Sequence, residues 1–397
     1  MDVMKLEGSY LPGPLVEGYT SMIWTERFLG GDFQLITPKV EETRDLLPEG
    51  SLITHRETKE VMQVETLNIE YNDEGIPELH IDGRTLETFE EKRVAVGGTY
   101  NEPWTAYKNY RSSEIAALLL WTYLVDTSGQ DASRVGGTHD VHDAIPNFLI
   151  TDSSTFVETP TEWSLKSGDV YSQLKDLLTL TNLGVRGIRP PGTTGTVVTF
   201  DTSGGSTRGD VSKVSTPGIS GIRLDVYNGL DRTRFQSDRE PVIFHYDSGH
   251  INSPKYLFSI KDFYNVALVT SSLGVTEVWP LTGTTPPSTP PTGLDRRVLH
   301  VDGGTQGDAL LADFTQSVIQ KGMVELAKHN RMILFDGAIS AVSNYIYGQH
   351  YFLGDTVTLL AQYGFEAEMT VAEYVRTEDH EGDRGFPTLI LSSQEEG

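Results

Sequence analysis

Between Val61 and Tyr71 the chain alternates: Val64, Leu67 and Ile69 are apolar, Glu65, Asn68 and Glu70 polar, and the phase slips once. A period of two predicts a strand with one buried face. Asn72 to Gly75 supplies turn residues, and Pro77 to Ile81 predicts the return strand. Upstream, Ser21 to Leu29, a Gly30-Gly31 turn and Asp32 to Thr37 predict a hairpin. Ser51 to Thr54 predicts a further strand after Leu47-Pro48-Glu49-Gly50. Short strands with frequent turns up to about residue 100 suggest a barrel or sandwich.

The middle of the chain changes period. Ser113 is placed to cap a helix from Glu114 to about Val125, apolar almost all round and so expected to be buried. Asp169 is placed to cap a second helix with Val170, Leu174, Leu177 and Leu178 on one face, and Gly184 is the expected stop. Strands are expected at Gly195–Phe200, Gly221–Tyr227, Pro241–Tyr246 and Asn265–Thr270. Ser203 to Gly218 is rich in Gly, Ser and Thr and reads as a loop; Thr282 to Gly293 is Pro/Thr-rich and reads as an extended linker. A long helix is expected over Asp308 to Asn330, with Leu310, Leu311, Phe314, Val318 and Ile319 on one side. From Arg331 to Leu391 the pattern returns to strands.

This closing block echoes the opening one. Gly50, Met62 to Leu67, the turn at Asn72 to Gly75 and Pro77 have counterparts in Gly354, Met369 to Val375, the turn at Asp379 to Gly382 and Pro387. Val64 to Gly75 and Val371 to Gly382 both span 11 positions. Two similar β units in one chain allow a trimer to present six similar modules, which is a route to near-sixfold symmetry.

Composition narrows the chemistry. The 397 residues are enough for two to four domains and include no Cys, so disulfides, thiolate metal sites and Cys catalysis are excluded. The net charge is −25 and there is no basic run, which argues against binding a phosphate backbone. The acidity reads first as a solvated surface, and alternatively as a wall that lets nucleic acid pass without sticking. Met1 to Glu7 lacks the basic and apolar regions of a signal peptide, so none is expected. The longest apolar stretch, Ile115 to Val125, is too short to span a membrane.

Three segments carry a family resemblance: Trp24 to Phe28 with Asp32 to Leu35; Thr105 to Tyr110; and Tyr351 to Val357 with Tyr374 to Asp379 and Phe386 to Leu389. In this pattern and order the chain resembles the minor tail proteins of actinobacterial siphoviruses, a family of bacteriophage tail-tip or baseplate hubs. The resemblance implies a mainly β fold with some α, an α+β chain with two barrel-like tube domains. These would occupy residues 1–100 and 331–397, with a mixed middle region over 101–330. It also implies a structural virion protein rather than an enzyme, needing no cofactor. A homotrimer would form a pseudo-hexameric ring between tail tube and tail tip and leave a channel for DNA ejection. Its expected partners are a distal tail protein, the tape measure protein and tip or fibre proteins, with genomic DNA passing unbound and the host surface nearby. Its place would be the virion, after assembly in the bacterial cytoplasm.

Candidate sites for chemistry are few. His139, Asp140, His142 and Asp143 follow Gly136-Gly137 and offer imidazole and carboxylate ligands to a metal. No further ligand is indicated by spacing, and a polar loop is the simpler reading. His245 to His250 gathers Asp247, Ser248 and His250, but a strand end and turn explain it. Arg208-Gly209-Asp210 matches an adhesion tripeptide within the Gly/Ser-rich loop. Glu41-Glu42, Glu90-Glu91 and Asp379 with Glu381 are carboxylate pairs of the kind a glycosidase uses, and also of the kind that solvated turns carry. The rival to a hub is therefore a carbohydrate-binding or envelope-degrading tail protein. Trp24, Phe28, Phe33, Tyr345, Tyr347, Tyr351 and Phe352 suit either a core or a subunit contact.

Overall fold

The computed structural model describes residues 2–28, 30–95, 104–125, 145–152, 161–166, 168–189, 195–200, 211–216, 221–280, 290–306, 311–339, 344–380 and 382–391. The chain opens with β1 (Val3–Glu7), β2 (Leu11–Leu15), β3 (Ser21–Arg27), β4 (Asp32–Thr37), α1 (Val40–Leu46), β5 (Leu52–His55), β6 (Val61–Tyr71) and β7 (Pro77–Thr85). There follow β8 (Val94–Ala95), β9 (Trp104–Tyr110), α2 (Ser112–Leu124), β10 (Phe148–Asp152), β11 (Thr161–Lys166), β12 (Gly168–Asp169), α3 (Val170–Thr181), β13 (Leu183–Ile188), β14 (Gly195–Phe200), β15 (Val211–Thr216) and β16 (Ile222–Asn228). Next are β17 (Asp231–Arg232), β18 (Ile243–His245), β19 (Ile251–Ser259), β20 (Val266–Ser271), β21 (Gly274–Val278), β22 (Val298–Gly304) and α4 (Leu311–Ala327). The chain closes with β23 (Met332–Ile339), β24 (Thr356–Leu360), β25 (Glu366–Asp379) and β26 (Gly382–Leu391). The fold is mainly β with some α.

The two ends of the chain share one sheet. Its path runs β19-β23-β26-β25-β3-β4-β7-β6-β5-β1-β2, and β24 joins β25 while receiving β17 and β18. The closing block therefore draws three strands from residues 231–259. The opening core gathers Trp24, Phe33, Leu35, Ile53 and Ile81, and the closing core Phe244, Phe335, Tyr351, Val357 and Met369. Full burial of each such side chain contributes about 2–3 kcal/mol. Between them, α2 and α3 pack on the sheet β10-β16-β13, and α4 packs on β21-β20-β22.

Local signals mostly landed where the side chains act. Asp169 accepts the Ser172 N–H at 2.6 Å and caps α3, which buries Val170, Leu174, Leu177 and Leu178. Other expectations need correction. Helix α2 starts at Ser112 with Arg111 at its cap, and the buried Glu114 closes the turn by accepting the Arg111 N–H at 2.9 Å. Ser113 is inside the first turn. Helix α3 stops at Asn182, which takes left-handed φ 54°, so the helix is over before Gly184. In α4, Phe314 and Val318 are buried but Leu311, in its first turn, lies out in solvent. Val211–Thr216, expected to be loop, pairs antiparallel with β14, from Val211 opposite Phe200 to Thr216 opposite Gly195.

The phase slip in β6 is a β-bulge. Val64 lies opposite Gly83 and Thr66 opposite Asp82, leaving Glu65 as the extra residue. The bulge presses the β6 backbone onto β7. A Cβ on Gly83 would lie 1.9 Å from the Gln63 carbonyl oxygen and 2.5 Å from the Phe33 ring. Backbone cannot yield as a side-chain tip does. Gly83→Ala is therefore expected to destabilise the chain by about 1–3 kcal/mol or more, read as a lower urea midpoint; an unchanged midpoint would contradict this packing.

Candidate assembly interface

The echo in sequence is a geometric repeat. At the opening unit, the Gly50 N–H donates to the Val64 carbonyl at 2.8 Å and the Val64 N–H to the Ser51 carbonyl at 2.8 Å. At the closing unit, Gly354 donates to Val371 at 2.8 Å and Val371 to Asp355 at 3.0 Å. Gly50 and Gly354 share φ +82°. Strand β25 bulges between Val371 and Glu373, the place where β6 bulges between Val64 and Thr66. Phe33 opposite Gly83 corresponds to Phe335 opposite Leu389, and both rings are buried. The match of Pro77 to Pro387 is not kept, since Leu67 faces Ile81 where its counterpart Tyr374 faces Pro387.

The repeats meet at a seam. Past its bulge, β25 leaves β24 and pairs antiparallel with β3, from Glu373 opposite Arg27 to Glu378 opposite Met22. Arg27 donates to Glu373 at 2.6 Å and also pairs with Asp32. The Tyr19 hydroxyl donates to Glu378 at 2.7 Å. Arg376 spreads between Asp383 at 2.5 Å and Glu57 at 2.5 Å, with the His55 ring nitrogen 3.2 Å away. Burial, and then the Arg376 charge, lower the His55 pKa to about 4, so the ring is neutral at pH 7.

Beneath the seam lies a buried polar node. Period-two alternation puts Glu26 on the core face with Met22 and Trp24. It accepts from Trp24 Nε1 at 3.1 Å and from the Tyr347 hydroxyl at 2.6 Å. Tyr347 stacks on Tyr374, with ring centroids 3.9 Å apart. Glu60 hydrogen-bonds Glu26, and burial, followed by the Glu26 and Glu87 charges, pushes its carboxyl well above the usual range. Glu87, in the 3-10 turn Leu86–Lys92, is pushed up to about 7 by burial. Glu90 is raised by burial and by Glu87. Arg186, on β13, stacks over Tyr227 at 4.5 Å and faces the node from the middle region. All three parts of the chain meet here.

Of the candidate acid/base and metal residues, Glu90 alone among the described residues lies at this node. His139, Asp140, His142 and Asp143 lie outside the described residues, as do Arg208 to Asp210 and Glu381. Among the described residues, no group of three His, Asp or Glu is placed to hold a metal. Glu90 is buried while Glu91 reaches out to Arg84 at 2.9 Å, so the two do not form a catalytic pair. Glu41 and Glu42 lie exposed in the first turn of α1. His250 meets the Ile243 carbonyl at 3.2 Å and packs on Tyr345, while Asp247 and Ser248 face solvent in the expected turn. Trp24, Phe33 and Tyr351 are core; Tyr347 serves the seam. Sequence reading missed Glu26, Glu60 and Glu87; only the alternation around Glu26 signalled a carboxylate facing inward.

The family described as Siphovirus ReqiPepy6 Gp37-like protein matches residues 9–386. No curated protein matches the sequence. Among solved structures, a tail protein from Neisseria meningitidis MC58 superposes with a TM-score of 0.53 at 10% identity, over 99% of this chain and 96% of that one. The 43 kDa tail protein of prophage MuSo2 from Shewanella oneidensis gives 0.50 at 12% identity, over 98% of each chain. At such identities the likeness is one of fold.

The node has a signed pH consequence. Glu87 holds its proton in the fold up to about pH 7, while the unfolded chain releases it near the ordinary value, about 4.3. Its favourable contribution is complete at low pH and is lost as pH rises through 7. His55 acts oppositely, with stability lost as pH falls from its ordinary value toward 4. Glu87→Gln should therefore stabilise the protein at pH 8 by up to about 3 kcal/mol, with the gain gone by pH 4. Thermal melts across this range check it; a gain at pH 4 would contradict the assignment.

Proposed function

Because the chain belongs to the siphovirus tail protein family of ReqiPepy6 Gp37-like proteins, we propose that it is the hub of the tail tip, a homotrimer closing into a pseudo-hexameric ring. The observation that carries this reading is the internal repeat, with its bulges and glycine turns in matching places. Three chains with two such units each offer six similar lobes. The ring would join the tail tube to the tip, in contact with a distal tail protein, the tape measure protein and tip or fibre proteins. Its work is mechanical: it closes the tail before infection and leaves a passage for DNA afterwards. The virion is its place of action, following assembly in the host cytoplasm.

The polar face of the sheet suits the wall of that passage. On the side away from the core, Asp32, Glu65, Glu78, Asp82 and Glu373 outnumber Arg27 and Arg84. Carboxylates facing the passage would repel phosphates, and salt would screen the repulsion within about 10 Å at 0.1 M.

Two measurements test this. Electron-microscope images of concentrated protein, with and without mild crosslinking, should show threefold rings with a central opening and six similar lobes; compact monomers in both preparations would count against the hub. Glu78→Lys with Asp82→Lys should add salt-sensitive duplex-DNA binding that weakens at least tenfold between about 0.05 and 0.2 M salt. Binding of similar strength by the parent protein would remove the repelling wall.

A further inference from the structure

The repeat also says how one chain meets the next. Strand β25 uses its outer edge twice: before the bulge it holds β24, after the bulge it holds β3. Strand β6 uses its outer edge once. Before the bulge it holds β5, over Val61 to Gln63; after the bulge, Thr66 to Tyr71 pairs with β7 alone among the described residues. The same backbone that is covered by β3 in one unit is open in the other. Ile69 and Tyr71 stand 49% and 73% exposed there. Unpaired N–H and C=O groups flanked by exposed apolar side chains form a template for another strand.

The counterpart of β3 is identifiable. Strand β3 pairs with β4 as β19 pairs with β23, and Trp24 opposite Phe33 corresponds to Tyr256 opposite Phe335. Strand β19 is one end of the sheet path, with its other edge open among the described residues. Leu257 and Phe258 are 45% and 57% exposed on it. The opposite end of the path, β2, carries Pro12 and Pro14, which cannot donate to a ladder. Thr66 to Tyr71 contains no proline; in β19 the one proline, Pro254, precedes Lys255 to Ser259, so a ladder there runs no further than Glu70.

We propose that the free half of β6 pairs antiparallel with β19 of a second copy of this chain, in the register of the internal seam. The internal pairs Val375–Thr25 and Tyr374–Glu26 translate to Asn68–Leu257 and Leu67–Phe258 between copies. Two steps beyond Asn68–Leu257, Glu70 falls opposite Lys255, which sets opposite charges across the contact. The occupant is a second copy because, among the described residues, the chain's own β19 is the free-edged strand that matches β3. Each copy offers one β6 edge and one β19 edge, so the contact is head-to-tail and closes into a ring when the rotation allows. The inference rests on the ring reading above and adds its contact.

The chain has no Cys, so an engineered pair reports without background. Adjacent antiparallel pairs alternate between wide and narrow spacing, and a disulfide suits the narrow one. One of the two double variants, Asn68→Cys with Leu257→Cys or Leu67→Cys with Phe258→Cys, should therefore close. Oxidised at concentrations where light scattering gives trimers, that variant should run as covalent dimers and trimers on a non-reducing denaturing gel. Asn68→Cys with Ser259→Cys, two residues out of register, should stay mostly monomeric. Trimers that link in neither double variant, or that link best out of register, would overturn the pairing and leave the ring standing. Monomers at every concentration would overturn both.

Discussion

The fold hangs on one stretch of backbone pairing, the six-residue ladder between β25 and β3. Without it the opening and closing β blocks would be two separate units, each with its own core. The ladder turns them into one sheet and brings Glu26, Glu60 and Tyr347 together behind it. Burying carboxylates is costly unless they keep a proton or find donors. Here Glu60 shares a hydrogen bond with Glu26, which also takes bonds from Trp24 and Tyr347. The polar node is thus tied to the register of the seam: a slip of one residue would turn Glu26 away from Tyr347.

Much of the fold was legible because local signals and packing agree. The Trp24–Phe33 hairpin, the Asp169 cap and the strong alternation of β4 each follow from residues a few positions apart. The slip in the β6 pattern was readable as well, though only the ladder showed it to be a bulge and gave the reason for Gly83. Helix ends were less legible. Glu114 reaching back to Arg111 and Asn182 in a left-handed turn compete with the better formers nearby, and tertiary contacts decide between them.

The candidate interface was far less legible than the fold. Glu26, Glu60, Glu87 and Arg186 are scattered over 160 positions of sequence. No spacing rule links them, because what unites them is where β3, β6, β13 and the turn after β7 cross. The repeat, in contrast, could be seen at Val64 and Val371 from the sequence alone. Its second strand was misread at Pro77 and Pro387, since composition near a turn tracks turn chemistry rather than pairing.

The seam has a further consequence for assembly. Both of its strands belong to one polypeptide, so the join forms at an effective concentration set by the chain itself and survives any dilution. It pays no cost of bringing two bodies together. A join so protected can carry tightly buried carboxylates such as Glu60 and Glu90, held well above the usual range by burial, that a contact between separate molecules would struggle to keep. The exposed half of β6, built from Thr66, Asn68, Ile69 and Tyr71, has no such burden. One repeat is joined permanently within the chain, and the other keeps an outer edge that is open among the described residues.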